Sequence, residues 1–329
     1  MIASNRQRDG EGPALTGILA PCDFPESETD MTDAVIVVST PRSGSSWLSR
    51  ILRAHPELHV YTHNTNSTQI LYLLYPTKTF NPFGDDDIEN TDGSVSFLKK
   101  LRVRMVKAYY RNSDPNRRLV LASPTNVEFL PLLMQVFPNA RYVHLKRNHL
   151  DVIASFRKFL EYNGQNGFWD RYRKLRHRGH LQAGRTALAH LFHSLRWISL
   201  KTPGYVGTRP SGFQKATSLP LLEFLSWYDV RLEEQIERAL ESVPDDRRHT
   251  VTYEGLVLNY EMELRRLLQF MGVNIVREHL QKTSINIRPG GVGRYKKLFN
   301  KDELEVVSRY LLSKGVNCLQ ANATGSNNS

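Results

Sequence analysis

The chain has 329 residues, of which 40% are hydrophobic and 23% charged, with 44 Lys and Arg against 33 Asp and Glu for a formal net charge of +11. That balance is ordinary for a globular chain, and the length allows one large core or two modest ones. No apolar run approaches the roughly 18 residues of a membrane-spanning helix, and the only cysteines, Cys22 and Cys318, supply neither a disulfide framework nor a thiolate metal site.

Residues 1–33 are rich in Gly, Pro, Ser, Asp and Glu and lack a sustained period, so a loose tail is expected there and again over 317–329. The first 33 residues show no basic stretch followed by an apolar one, and a cytoplasmic location is expected. No internal repeat is visible, and 34–316 reads as one α/β domain.

The four β-branched residues Val35, Ile36, Val37 and Val38 predict a buried parallel strand. Ser39-Thr40-Pro41-Arg42-Ser43-Gly44-Ser45-Ser46 then forms a small-residue turn, and Trp47, Leu48, Ile51 and Leu52 mark the apolar side of a helix. Strand, turn and helix N-terminus make an anion cradle. Unpaired backbone N–H groups and the positive end of the helix dipole converge over Ser43 to Ser46, and Arg42 adds a full charge. The triphosphate-binding pattern G-x-x-x-x-G-K-[ST] is absent: its first Gly and its Gly-Lys pair have no counterpart here.

Pro56 is expected to stop this helix, and the segment from Ala54 to Asn66 to carry the chain across the sheet's active end. Asp85-Asp86-Asp87 with Glu89 and Asp92 reads as a solvated acidic loop, since no His or Cys is interleaved. Leu119–Ser123 and Ala140–Leu145 predict further strands, joined by a helix from Asn126 to Val136. Strands alternating with helices imply parallel βαβ units, whose ligands bind at the carboxyl ends of the strands. Ser39–Ser43, Ser123–Asn126 and Lys146–Asn148 fall at those ends.

A helix starts near His149, with Val152, Ile153, Phe156, Phe159 and Leu160 as its inward stripe. Arg147 then lies on the preceding loop and Ser155 two turns into the helix. A guanidinium and a hydroxyl so placed can reach one phosphate from two sides, although a surface Arg and a helix Ser fit the spacing equally well.

Pro41-Arg42-Ser43-Gly44-Ser45-Ser46-Trp47 resembles the 5′-phosphosulfate loop of the sulfotransferases, whose donor is 3′-phosphoadenosine 5′-phosphosulfate (PAPS). Arg147 and Ser155 match in spacing the Arg and Ser that bind the donor's 3′-phosphate in that family. Arg288-Pro289-Gly290-Gly291-Val292-Gly293-Arg294-Tyr295-Lys296 resembles its R-x-G-x-x-G loop, which closes over the 3′-phosphate and adenine. Thr252-Tyr253-Glu254-Gly255-Leu256-Val257 is similar to its Y-E-D-L segment, in which the Tyr approaches the donor. The resemblance covers roughly 34–300 and implies a P-loop-like parallel β-sheet flanked by helices; the basic, helix-patterned insertion over about 165–217 departs from it. The resemblance also implies PAPS as donor, 3′-phosphoadenosine 5′-phosphate (PAP) as product, and no required metal. Arg42 and the backbone of Ser43 to Ser46 would then stabilise the departing bisphosphate, with Trp47 against the adenine.

The sequence departs from the family in two other places. Many relatives carry a Lys, or a Lys-x-His pair, at the end of the second strand, where Leu121-Ala122-Ser123-Pro124-Thr125 has no ionisable side chain. Another branch carries a catalytic Glu several residues beyond the His-Pro after the first helix, which falls here at Thr62 and His63. His63 is the candidate general base, because imidazole titrates near neutral pH, although a His hydrogen-bonded in a surface loop fits equally well; His149 is the second choice, its helix start suiting a structural or phosphate-contact role better. The stretch from Arg171 to Ala216 holds ten Lys and Arg and no Asp or Glu, and it includes His177, His180, His190 and His193. So basic a stretch attracts anions. A small-molecule, saccharide or lipid acceptor is expected, anionic ones included, and nucleic acid is not. Two other readings stay open: a nucleotide-dependent kinase on the same strand, loop and helix, and a catalytically weak nucleotide-binding protein that holds an anionic partner.

Overall fold

The computed structural model describes residues 33–62, 105–106, 114, 116–165, 210–285, 287 and 289–316. Its centre is one five-stranded sheet made of β1 (Val35–Val38), β2 (Leu58–Thr62), β3 (Arg118–Ala122), β4 (Arg141–Lys146) and β5 (Arg248–Thr252). The strand order is β2-β3-β1-β4-β5 and all four pairings are parallel. β1 lies in the middle, with Val35 opposite Val120 on one side and Arg141 on the other. All four of its side chains are buried, which is why its sequence is continuously apolar instead of alternating.

Two layers of helices cover the sheet. On one face Val35, Val37, Val143 and Leu145 pack against α1 (Ser45–Arg53), α6 (Tyr253–Leu258) and α7 (Tyr260–Met271). On the other, Ile36, Val38, Leu121 and Tyr142 meet α2 (Leu130–Val136), α3 (His149–Gln165), α5 (Leu221–Leu240) and α10 (Lys301–Ser313). The short α4 (Phe213–Ala216) and α9 (Tyr295–Leu298) and the helix α8 (Arg277–Ser284) complete the described set. None of the described helices is long and apolar enough to cross a membrane.

The expected helix from Asn126 is a 3-10 turn over Pro124–Phe129, and α-helix begins only at Leu130. Pro131 explains the break: it has no N–H for the carbonyl four residues back and its ring collides with it, so it suits only the first turn of a new helix. The segment after Pro56 is also not a crossing loop. Leu58-His59-Val60-Tyr61-Thr62 forms β2, with Leu58 and Val60 buried in the period-2 pattern of a strand. Several expected features lie outside the described residues: the 1–32 and 317–329 tails, His63, the acidic loop at 85–92, Arg288, and the basic segment over 166–209.

Side chains close the two ends of the sheet. At the amino end, Arg141 donates to the Phe270 carbonyl at 3.1 Å and Arg118 to that of Met271, so two cations cap the last turn of α7. At the carboxyl end, Asn126 Nδ2 donates to the carbonyls of Val37 and Leu121, both at 2.9 Å, tying the ends of β1 and β3 together. Asn126→Ala strands both buried carbonyls and is expected to cost about 1–3 kcal/mol, read from the urea midpoint at unchanged m-value; a loss within error would contradict this.

Candidate functional site

The turn after β1 opens α1 through Gly44, whose φ of +102° is the left-handed conformation that a side chain resists. Space adds a second reason, since a Cβ there would stand 2.6 Å from Tyr253 Cδ2. Gly44 provides no side-chain cap and the first turn of α1 contains no acid. The helix therefore presents its N-terminus to an outside anion. Thr40 Oγ1 and Ser43 Oγ are 2.7 Å apart beneath the turn, both residues buried.

Arg42 also has positive φ, +75°, a conformation costing a non-glycine residue roughly 1–2 kcal/mol. It is held by Arg147, whose Nη1 donates to the Arg42 carbonyl at 3.0 Å. The Arg42 side chain reaches α3: Nε donates to Ser155 Oγ at 3.3 Å, and Cζ lies 4.9 Å from the centre of the Phe159 ring. Arg147 Nη2 donates to the Gly291 carbonyl at 2.6 Å, and its Cζ stacks 4.3 Å from the centre of the Tyr253 ring. Tyr253 in turn meets Trp47 edge-on at 5.3 Å. Gly291 is glycine for space, because a Cβ would run into the Tyr253 hydroxyl.

The expected residues thus converge: Arg42, Ser43, Gly44, Ser45, Ser46, Trp47, Arg147, Ser155 and Tyr253 surround one end of the sheet, beside the loop that contains Pro289 and Gly290. Asn148 and Asp151, which motif spacing did not single out, complete the frame with Glu254 of the matched Y-E segment. Asn148 caps α3 with its Oδ1, and its own N–H is accepted by Glu254 Oε1 at 3.1 Å. Asp151 accepts the N–H groups of Gly293 and Tyr295. Its signal in the sequence was only an acid in the first turn of a helix, four residues after an arginine.

His149 lies in a different environment. Its Nδ1 meets Asp229 Oδ2 of α5 at 2.7 Å, on a different side of α3 from Ser155. Lys146 and His144 extend that cluster, approaching Glu233 Oε1 at 3.1 and 3.2 Å, and Lys146 also pairs with Glu237. Burial disfavours the His149 cation, as does Lys146, but the Asp229 carboxylate and Glu233 outweigh both and raise its pKa. The pair's contribution to stability is complete below the unfolded imidazole value of about 6.5 and is lost as pH rises through the raised value. Asp229→Asn is accordingly expected to destabilise the protein most in mild acid, with the deficit shrinking toward alkaline pH in urea titrations. A pH-independent deficit would remove the ion pair as its cause.

Among the described residues no group of three or more His, Cys, Asp or Glu is arranged to hold a metal. What the site offers is arginine, helix-terminal N–H groups, hydroxyls and aromatic faces, a set suited to a phosphorylated nucleotide. The sequence matches the sulfotransferase family over residues 34–200, just over half of the chain. The chain belongs to that family. It is 28% identical over 215 residues to an uncharacterized protein from Aquifex aeolicus (strain VF5), a stretch that covers 60% of this chain and 26% of that protein. The chain therefore spans about a quarter of the length of this curated relative. Among solved structures, the sulfotransferase domain from the curacin biosynthetic pathway aligns with a TM-score of 0.48 at 16% identity, covering 87% of this chain and 98% of that one. Mouse sulfotransferase SULT7A1 complexed with PAP aligns with a TM-score of 0.45 at 14% identity, covering 87% and 85%.

Proposed function

We propose that this sulfotransferase-family chain moves a sulfuryl group from PAPS to a hydroxyl, or less favourably an amine, of an acceptor. The observation that carries the reading is Arg147, bonded at once to the Arg42 turn and to the Gly291 loop and stacked on Tyr253. A guanidinium so fixed, with Ser155 on the adjoining helix, suits a donor distinguished from other nucleotides by its 3′-phosphate. In this reading Arg147 and Ser155 hold that phosphate, assisted by Arg288, Pro289 and Gly290. The N–H groups of Ser43 to Ser46 and the Arg42 guanidinium face the 5′-phosphosulfate, and Trp47 and Tyr253 flank the adenine.

The acceptor oxygen attacks sulfur in line as the bond from sulfur to the bridging phosphate oxygen breaks and PAP departs. Positive charge and oriented N–H groups at the cradle stabilise the negative charge gathering on PAP. His63, just beyond β2, is the proposed base that takes the acceptor's proton. The acceptor is a small molecule, saccharide or lipid, and the acid-free basic stretch at 171–216 favours one that carries negative charge.

Calorimetric titration with PAP, AMP and ATP, without added metal, tests the donor. PAP should bind more tightly than AMP, and Arg147→Ala should weaken PAP by about 10- to 100-fold and AMP by clearly less, so that the preference for the 3′-phosphate shrinks. Binding of ATP alone, or of no nucleotide, would overturn the PAPS reading. Once an acceptor supports turnover, Arg42→Ala and His63→Gln should each lower kcat by about a hundredfold or more, His63→Gln with PAP affinity little changed and Arg42→Ala with PAP weakened as well; an unaltered kcat would remove the residue from the chemistry.

A further inference from the structure

We propose that Asp151 is a positioning residue whose carboxylate latches the 289–295 loop onto Arg147 and so sets the preference of the site for a 3′-phosphate. The specificity part of this proposal rests on the PAPS reading; the latch itself does not.

Asp151 stands in the first turn of α3 with its side chain wholly buried. Oδ2 accepts the N–H of Gly293 and Oδ1 that of Tyr295, both at 2.8 Å. Oδ2 also lies 4.0 Å from Arg147 Nη2, the atom that donates to the Gly291 carbonyl. One cation and one anion, four residues apart, thus hold the loop at three backbone points: the Gly291 carbonyl and the Gly293 and Tyr295 N–H groups. The attachment accounts for Gly293 as well. Its φ is +67° and a Cβ would have open space, so glycine is needed there for backbone conformation alone.

A buried carboxylate is costly unless charge and hydrogen bonds compensate it. Here two N–H donors, Arg147 and the positive end of α3 do so. Two donors arriving at two oxygens need an acceptor at each, which an ionised carboxylate provides and an amide does not. The substitution Asp151→Asn would turn an NH₂ toward one of them.

Arg147 gains orientation from the same contacts. Its Nη1 and Nη2 each give a hydrogen to a carbonyl, leaving a second hydrogen on each, and its Nε is buried and has no hydrogen-bond partner among the described residues. An unspent buried donor beside a glycine loop is a place for an oxyanion to arrive. The loop shapes that place, and Asp151 holds the loop.

The test is Asp151→Asn and Asp151→Glu, compared with wild type in two measurements on the full chain: amide exchange over 289–296 in the free protein, and calorimetry with PAP and AMP. Asp151→Asn should speed exchange at Gly293 and Tyr295 and shrink the PAP-over-AMP preference by about tenfold or more, mainly through PAP. Asp151→Glu, which keeps the charge but displaces the oxygens, should fall between; it also serves if Asp151→Asn does not fold. With an acceptor in hand, KM for PAPS should rise more than kcat falls. Unchanged exchange in either folded variant overturns the latch whatever the donor is. A wild-type preference for PAP that survives in Asp151→Asn overturns the positioning role and leaves the PAPS reading standing. A wild type indifferent to the 3′-phosphate overturns the PAPS reading, and the specificity role with it.

Discussion

Arg147 makes one guanidinium serve two distant stretches of backbone, the Arg42 carbonyl 105 residues earlier and the Gly291 carbonyl 144 residues later. Its planar fork permits this, because the donors point in fixed, divergent directions and the flat face remains available for Tyr253. A lysine ammonium, with three rotatable donors and no plane, would not reproduce both bonds and the stack. The strained Arg42 turn, the Gly291 loop and the aromatic pair of Trp47 and Tyr253 all take their places relative to that fork.

The sheet brings these pieces within reach. With β4 paired directly to central β1, the turn after β1 and the loop after β4 leave the same edge side by side, and β5 delivers Tyr253 next to them. The two cores hold that edge rigid from both faces, with α1 and α6 on one and α3 and α5 on the other. Charge is sorted by the ends of the sheet. Arg118 and Arg141 at the amino end satisfy helix carbonyls, so their charge is structural. Arg42 and Arg147 at the carboxyl end face a cradle with no acid in its first helical turn, where charge attracts a ligand.

Behind the site, Lys146, His149 and His144 are matched by Asp229, Glu233 and Glu237 of α5. This pairing separates two groups of basic residues that sit within a few residues of one another. Arg147 looks to the cradle, whereas Lys146 and His149 look to α5, which makes His149 a link between helices. Asp151 stands on the Arg147 side of that divide, joined to the loop that would close over a nucleotide.

Local patterns determined much of this protein. The apolar run of β1 and the small-residue turn into α1 were readable because each answers a short-range demand, burial or a helix N-terminus. Arg147, Ser155 and the glycines near 290 were instead singled out by family resemblance, since the spacing of the first two alone fits a surface Arg and a helix Ser equally well. β2 stands where a crossing loop is expected, and a 3-10 turn stands before α2 where continuous helix is expected, although the alternation of Leu58 and Val60 and the presence of Pro131 carry the signal for both. Only the tertiary structure decided that Arg147 donates to Arg42 and Gly291, that His149 turns to Asp229, and that Asp151 binds the N–H groups of Gly293 and Tyr295. Those partners lie roughly 80 to 144 residues away along the chain. Such contacts follow from strand order and helix packing, which no local period encodes.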